Sequence, residues 1–140
     1  MISISWAMQH ARYYYDKKTY EHALRVMEYI SEMWIIPEGE KKDTCMALAL
    51  MHDLIEDTSF SLVDIPDSET DFKSALILLT KSKDMSYIDY CKKIKDFSCK
   101  SYGQLAYWVK LADMKDHLCQ KETLTDGLKA KYLEGLAELL

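Results

Sequence analysis

Four ionisable side chains fall within six residues in the segment Ala49-Leu50-Met51-His52-Asp53-Leu54-Ile55-Glu56-Asp57-Thr58. His52 and Asp53 are neighbours, and on a helix neighbours point about 100° apart, so both reach one ion only where a helix presents its end or edge to a cleft. Glu56 and Asp57 return toward the same face three to five positions later. Imidazole with carboxylate is a donor set suited to Mn²⁺, Fe²⁺, Zn²⁺ or Mg²⁺ rather than to thiophilic metals. A divalent ion there would offset the acidic crowding and lower the pKa of a water from ~15.7 toward ~7. A bare His-Asp pair is more often a helix C-terminus, with His on a carbonyl and Asp in solvent, and by itself proves little.

The elements that must carry these groups read as helices. The 140-residue chain has only four Gly and two Pro, too few for the turns of a β-sandwich or barrel, and its 49% hydrophobic content can build a core without staples. Ser5 is expected to cap a first helix ending near Tyr15, and Thr19 a second in which Ala23, Val26, Met27 and Ile30 recur at helical spacing and His22 falls in the first turn. After Pro37-Glu38-Gly39, Asp43 or Thr44 opens a third helix through Cys45–Met51, apolar nearly all round and so the central buried one. His52, Asp53, Glu56 and Asp57 follow at its end, where burial without partners would be costly. A helical turn over Ser61–Ile65 is closed by Pro66, and Asp67 or Ser68 starts the helix carrying Phe72, Ala75, Leu76, Leu78 and Leu79. Further helices are expected from Ser86 to about Phe97, Ser101 to about Gln120, and Thr125 to the C-terminus. The last is an apolar helix that either caps the core or forms a homodimer face. The reading is one all-α domain over residues 1–140, a bundle of about six to eight helices.

The net charge of −5 and a pI near 5.3 argue against wrapping a nucleic-acid backbone, while a small anion remains accessible if a metal supplies local positive charge. Cys45, Cys91, Cys99 and Cys119 form neither a CxxC zinc pattern nor a disulfide framework, which fits reduced thiols in the cytoplasm. No apolar run approaches the ~18 residues that span a bilayer, so no membrane partner is expected.

Taken with Lys110-Leu111-Ala112-Asp113, the segment resembles the HD-domain hydrolases of the RelA/SpoT type and their small free-standing relatives that degrade (p)ppGpp. In that family a first His is followed by an "LLHDxxEDT" block and then by a "KLAD" block. His22 precedes His52 by 30 residues, and Asp113 follows Asp53 by 60. The flanks are similar too: His10-Ala11 and Tyr15-Asp16-Lys17-Lys18-Thr19-Tyr20-Glu21-His22 resemble "HA…YGDKPYxxH", and Leu79-Thr80-Lys81 resembles "VTD" or "VTK".

The resemblance implies metal binding by His22, His52, Asp53 and Asp113, with Mn²⁺ the leading candidate, and water positioning by Glu56 and Asp57. It implies a guanosine-3′,5′-bis(diphosphate) 3′-pyrophosphohydrolase-like enzyme with a small nucleotide substrate. The other readings are an HD phosphatase acting on a nucleoside monophosphate or NADPH, and a non-catalytic nucleotide-binding module. Where the family has Asn four residues after its last ligand this chain has His117, able to hydrogen-bond a ribose or phosphate. Arg12, Lys17, Lys18, Lys83 and Tyr87 complete the expected substrate contacts, since Arg and Tyr stack and Lys pairs with phosphate.

Overall fold

The structure, a computed structural model, describes residues 1–140 and contains helices and no strands. Seven helices of nine or more residues are joined by one isolated α-turn and one 3-10 turn. In chain order these are α1 (Ile4–Tyr14), α2 (Lys17–Glu32), α3 (Glu40–Met51), the α-turn α4 (Leu54–Asp57), α5 (Thr70–Leu78), α6 (Tyr87–Asp96), α7 (Ser101–Cys119) and α8 (Asp126–Leu139), with the 3-10 turn at Leu62–Asp64.

The caps explain where the helices begin. Ser3, not Ser5, caps α1 by accepting the Trp6 N–H, and Asp16, not Thr19, caps α2 by accepting the Thr19 N–H at 2.8 Å. The expected polar break at Asp16-Lys17-Lys18 is therefore the cap and first turn of α2, and His22 lies in the second turn rather than the first. Gly39, at φ 104°, turns the chain into α3, which starts at Glu40 ahead of Asp43. Glu69 rather than Asp67 or Ser68 precedes α5. Ser86 and Thr125 cap α6 and α8 through the N–H groups of Asp89 and Leu128 as expected.

The helix α3 is the buried axis. Cys45 and Ala47 through Met51 are closed to solvent, and α3 packs against α1, α2, α5 and α7. The 19-residue α7 is the second axis, touching α2, α3, α5, α6 and α8. Each axis is held from several sides, so the site they share stands on rigid elements. The helix α8 lies on α6 and α7 and buries Leu139, so one side of it caps the core. Gly135 makes that contact possible, because a Cβ there would stand 2.6 Å from the Tyr87 ring and 2.7 Å from Met114 Cε. No helix is long and apolar enough to cross a membrane.

Two outcomes follow from this packing. Gly135→Ala should lower stability by about 1–3 kcal/mol through overpacking, seen as a reduced urea midpoint with unchanged slope. Burial pushes the Cys45 thiol up to about 12 and closes off Cys91, whereas Cys99 and Cys119 are exposed. A disulfide reagent should therefore modify two thiols quickly in the folded protein and all four in urea.

Candidate metal centre

The end of α3 brings His52 and Asp53 to one point. His52 keeps helical torsions (φ −60°, ψ −30°), but Asp53 moves to φ −101°, ψ 1°, and α4 restarts after it. This break re-aims Asp53 so that its Oδ2 lies 3.1 Å from His52 Nε2. Tyr15, at the end of α1, pins the break by accepting the Asp53 backbone N–H at 3.0 Å. From α7, Lys110, Asp113, Asp116 and His117 project along one stripe at i, i+3, i+6 and i+7 spacing. From α2 comes His22, 9% exposed.

These groups converge. His22 Nε2 is 2.9 Å and His52 Nε2 3.2 Å from Asp113 Oδ1, and one ligand atom each of His22, His52, Asp53 and Asp113 lies within 4.8 Å of all the others. Neighbouring ligands held ~2.1 Å from one ion at right angles stand about 3 Å apart, so these separations fit a shared cation.

The outer hydrogen bonds make the same point. His52 Nδ1 sits 2.6 Å from the Ala49 carbonyl oxygen, which only accepts, so Nδ1 carries the proton. His22 Nδ1 donates to Asp116 Oδ2 at 2.6 Å, and Asp116 is held in turn by Arg25 Nε at 2.8 Å. In the neutral rings both Nε2 atoms then present lone pairs to a carboxylate oxygen. Something positive has to lie between them, either protons or a metal ion.

With protons in that role, the electrostatics follow. Burial pushes the His52 imidazole down, but Asp53 and Asp113 outweigh it and hold it well above the ordinary range. His22 shows the same balance, burial being overcome by Asp113 and Asp116. Burial would raise the Asp113 carboxyl, yet Lys110, His117, His22 and His52 hold it well below the usual value, with Lys110 Nζ 2.7 Å from Oδ2. A divalent ion would replace those protons, and the donor set suits one.

A cleft of about 210 Å³ opens on the cluster, lined by Asp53, Glu56, Asp57, Asp113, His117 and a wall of lysines and tyrosines. The lysines are Lys81, Lys110 and Lys131; the tyrosines are Tyr87, Tyr90 and Tyr132. Glu56 and Asp57 stand exposed at its rim on α4, both pushed up by partial desolvation and then by the charge of Asp53, although Glu56 is eased by accepting the Lys81 backbone N–H. The buried Tyr87 hydroxyl has no hydrogen-bond partner. On the other side of His117 a second hollow of about 430 Å³ is lined by Lys18, His22, Arg25, Asp53 and Asp57 among others.

The expected substrate contacts divide. Tyr87 and His117 line the first cleft and Lys18 the second. Arg12 and Lys17 line neither: both are solvent-exposed, and Lys17, 91% exposed, faces Glu21. Lys83 is also solvent-exposed outside the cleft, which Lys81 lines instead. Sequence reasoning missed Asp116 and Arg25, although the i, i+3 step from Asp113 could have pointed to Asp116. It also missed Lys131 and Tyr132, which no local pattern ties to a site on other helices.

A buried His/Asp cluster on a helical scaffold, with two further carboxylates beside it in a lysine-lined cleft, defines the class: a metal-dependent hydrolase. Residues 19–113, well over half of the sequence, match the HD domain, and the chain belongs to the HD-domain family. No curated protein matches the sequence significantly. Among solved structures, one described as a metazoan ortholog of SpoT that hydrolyzes ppGpp and plays a role in starvation responses superposes with a TM-score of 0.71. The two are 19% identical, and the match covers 97% of this chain and 84% of that one.

Asp116 touches no position a metal would occupy, yet it fixes the His22 ring. Asp116→Asn should weaken Mn²⁺ or Zn²⁺ binding by about 10- to 100-fold in chelator competition. Unchanged affinity would show that the His22–Asp116 bond does not orient a ligand.

Proposed function

We propose that the protein hydrolyses the 3′-pyrophosphate of (p)ppGpp or a closely related nucleotide, with His22, His52, Asp53 and Asp113 as ligands of a divalent metal, Mn²⁺ foremost. The observation that carries this reading is that the His22, His52, Asp53 and Asp113 cluster opens through Asp53 and Asp113 onto a cleft also lined by Glu56, Asp57, Lys81, Lys110 and Lys131. The sequence resemblance and the likeness to a ppGpp-hydrolysing structure support the substrate class.

When bound, the ion supplies a Lewis acid that polarises a phosphoryl oxygen and makes water acidic enough to attack near neutral pH. The remaining work falls to side chains. Glu56 and Asp57 orient the attacking water and take its proton. Water oxygen bonds to the phosphorus next to the ribose, the bond from that phosphorus to the 3′-oxygen breaks, and the proton reaches the departing oxygen. The products are GDP or GTP and pyrophosphate. Lys81, Lys110 and Lys131 offset the phosphate charge, and the tyrosines give the nucleotide an aromatic wall.

The test is incubation with ppGpp and Mn²⁺, products being resolved by anion exchange, beside His52→Ala and Asp53→Ala. Native protein should release GDP and pyrophosphate, and Glu56→Gln and Asp57→Asn should slow turnover by about 10²- to 10⁴-fold while keeping the metal. No product despite full metal occupancy overturns the substrate. The change from Asn to His117 would then direct attention to NADPH and nucleoside monophosphates.

A further inference from the structure

The three lysines of the cleft are not alike. Lys110 is spent on Asp113, 2.7 Å away, and the Lys81 amine is spent on the Ser82 and Met85 carbonyls. Lys131, on α8, lines the same cleft and forms no hydrogen bond and no ion pair, although four carboxylates line it too. Its Nζ is held instead over two rings, 4.6 Å from the centroid of Tyr87 and 5.5 Å from that of Tyr132. Aromatic faces attract an ammonium without using its N–H donors, so the group is steered to one place with all its donors free.

Lys131 touches none of the metal ligands. His117 Nε2 lies 3.2 Å from Asp113 Oδ1, the His117 ring stacks on Tyr132 at 4.6 Å and 5°, and Tyr132 in turn meets Lys131. Along the other wall, Lys110 beside Asp113 lies 5.2 Å from the Tyr87 centroid, and Lys131 approaches the same ring. By either route an aromatic ring separates Lys131 from the cluster. A phosphoryl group attacked at the ion keeps an oxygen about 2.1 Å from it, which puts that group beside Lys110 rather than beside Lys131. A nucleotide lying along the two rings brings its other end to Lys131.

We infer that Lys131 is a specificity-determining residue that pairs with a second phosphate group of the substrate, on the far side of the ribose from the phosphorus attacked. In (p)ppGpp this is the 5′ end, and the inference rests on that reading of the substrate. Lys131 thereby sets nucleotides phosphorylated on both sides of the ribose apart from nucleoside monophosphates, whose one phosphate is consumed at the metal. The residue lies past the segment 19–113 that matches the family, so the selection is made by α8 and not by the helices that carry the cluster.

The experiment compares Mn²⁺-loaded native protein with Lys131→Gln and Lys131→Arg on two substrates: ppGpp, and guanosine 3′-diphosphate, which has the same reacting group and no 5′ phosphate. Native protein should prefer ppGpp by about tenfold or more in kcat/KM. Lys131→Gln should raise KM for ppGpp by about tenfold while kcat changes by less than about threefold, so that the two substrates are used almost alike. Lys131→Arg keeps the charge and should keep most of the preference. Melting temperatures near the native value show that the variants are folded. No preference in the native protein, a preference retained in Lys131→Gln, or an equal loss on both substrates overturns the inference. Should native protein leave ppGpp intact, the substrate reading fails, and GDP affinity by calorimetry judges Lys131 alone: binding about tenfold weaker in Lys131→Gln upholds the subsite, and equal binding overturns it.

Discussion

The structure depends on one electrostatic constraint: two histidine nitrogens with fixed lone pairs are turned toward a buried carboxylate. The Ala49 carbonyl and Asp116 each claim an outward Nδ1 proton, so neither ring can relieve the conflict by exchanging tautomers. Such an arrangement is repulsive until positive charge enters. Lys110 supplies part of it at 2.7 Å from Asp113, and the rest has to come from protons or a cation. A core that tolerates this conflict is one in which packing holds the groups in place against it.

That packing is visible in the division between the two axes. Because α3 is apolar nearly all round, it is anchored by four helices, and its C-terminal end can carry His52 without shifting. The helix α7 is different: its inner face is apolar below and charged above, with Ala106 and Val109 in the core and Lys110, Asp113 and Asp116 near the cleft. Breaking the chain at Asp53 completes the geometry, since an unbroken helix would have sent adjacent side chains about 100° apart. Tyr15 then ties the break to α1, so three elements fix one aspartate.

Much of this was legible because it is local or follows fixed spacing. The Cys45–Met51 run shows its burial in composition alone, and the His52–Asp57 cluster stands out because polar groups at the end of a buried helix need partners. Helix starts were less legible. Asp16 and Thr19 are both good caps, and the choice between them is made by where the chain leaves α1 at Tyr15 rather than by propensity. Lys83 was favoured over Lys81 for a similar reason: in a polar loop, direction depends on the fold. Lys81 lines the cleft, its backbone N–H bound to Glu56 and its amine held on the Ser82 and Met85 carbonyls of the same loop. Arg12 is exposed on α1 and lines neither hollow.

The residues that could not be read from sequence share a property that bears on how such a domain works. Lys131 and Tyr132 lie on α8, past residues 19–113 that match the family, and meet the site only through the α6 and α7 contact that Gly135 permits. Lys110 has Asp113 as partner and Lys81 has carbonyls, whereas Lys131 has no anionic partner and rests over the Tyr87 ring at 4.6 Å. The reactive cluster is thus built on α2, α3 and α7, and much of the surface a substrate would meet on α6 and α8. Changes in α8 can alter what is bound while the conflict among His22, His52 and Asp113, and the chemistry it supports, stays as it is.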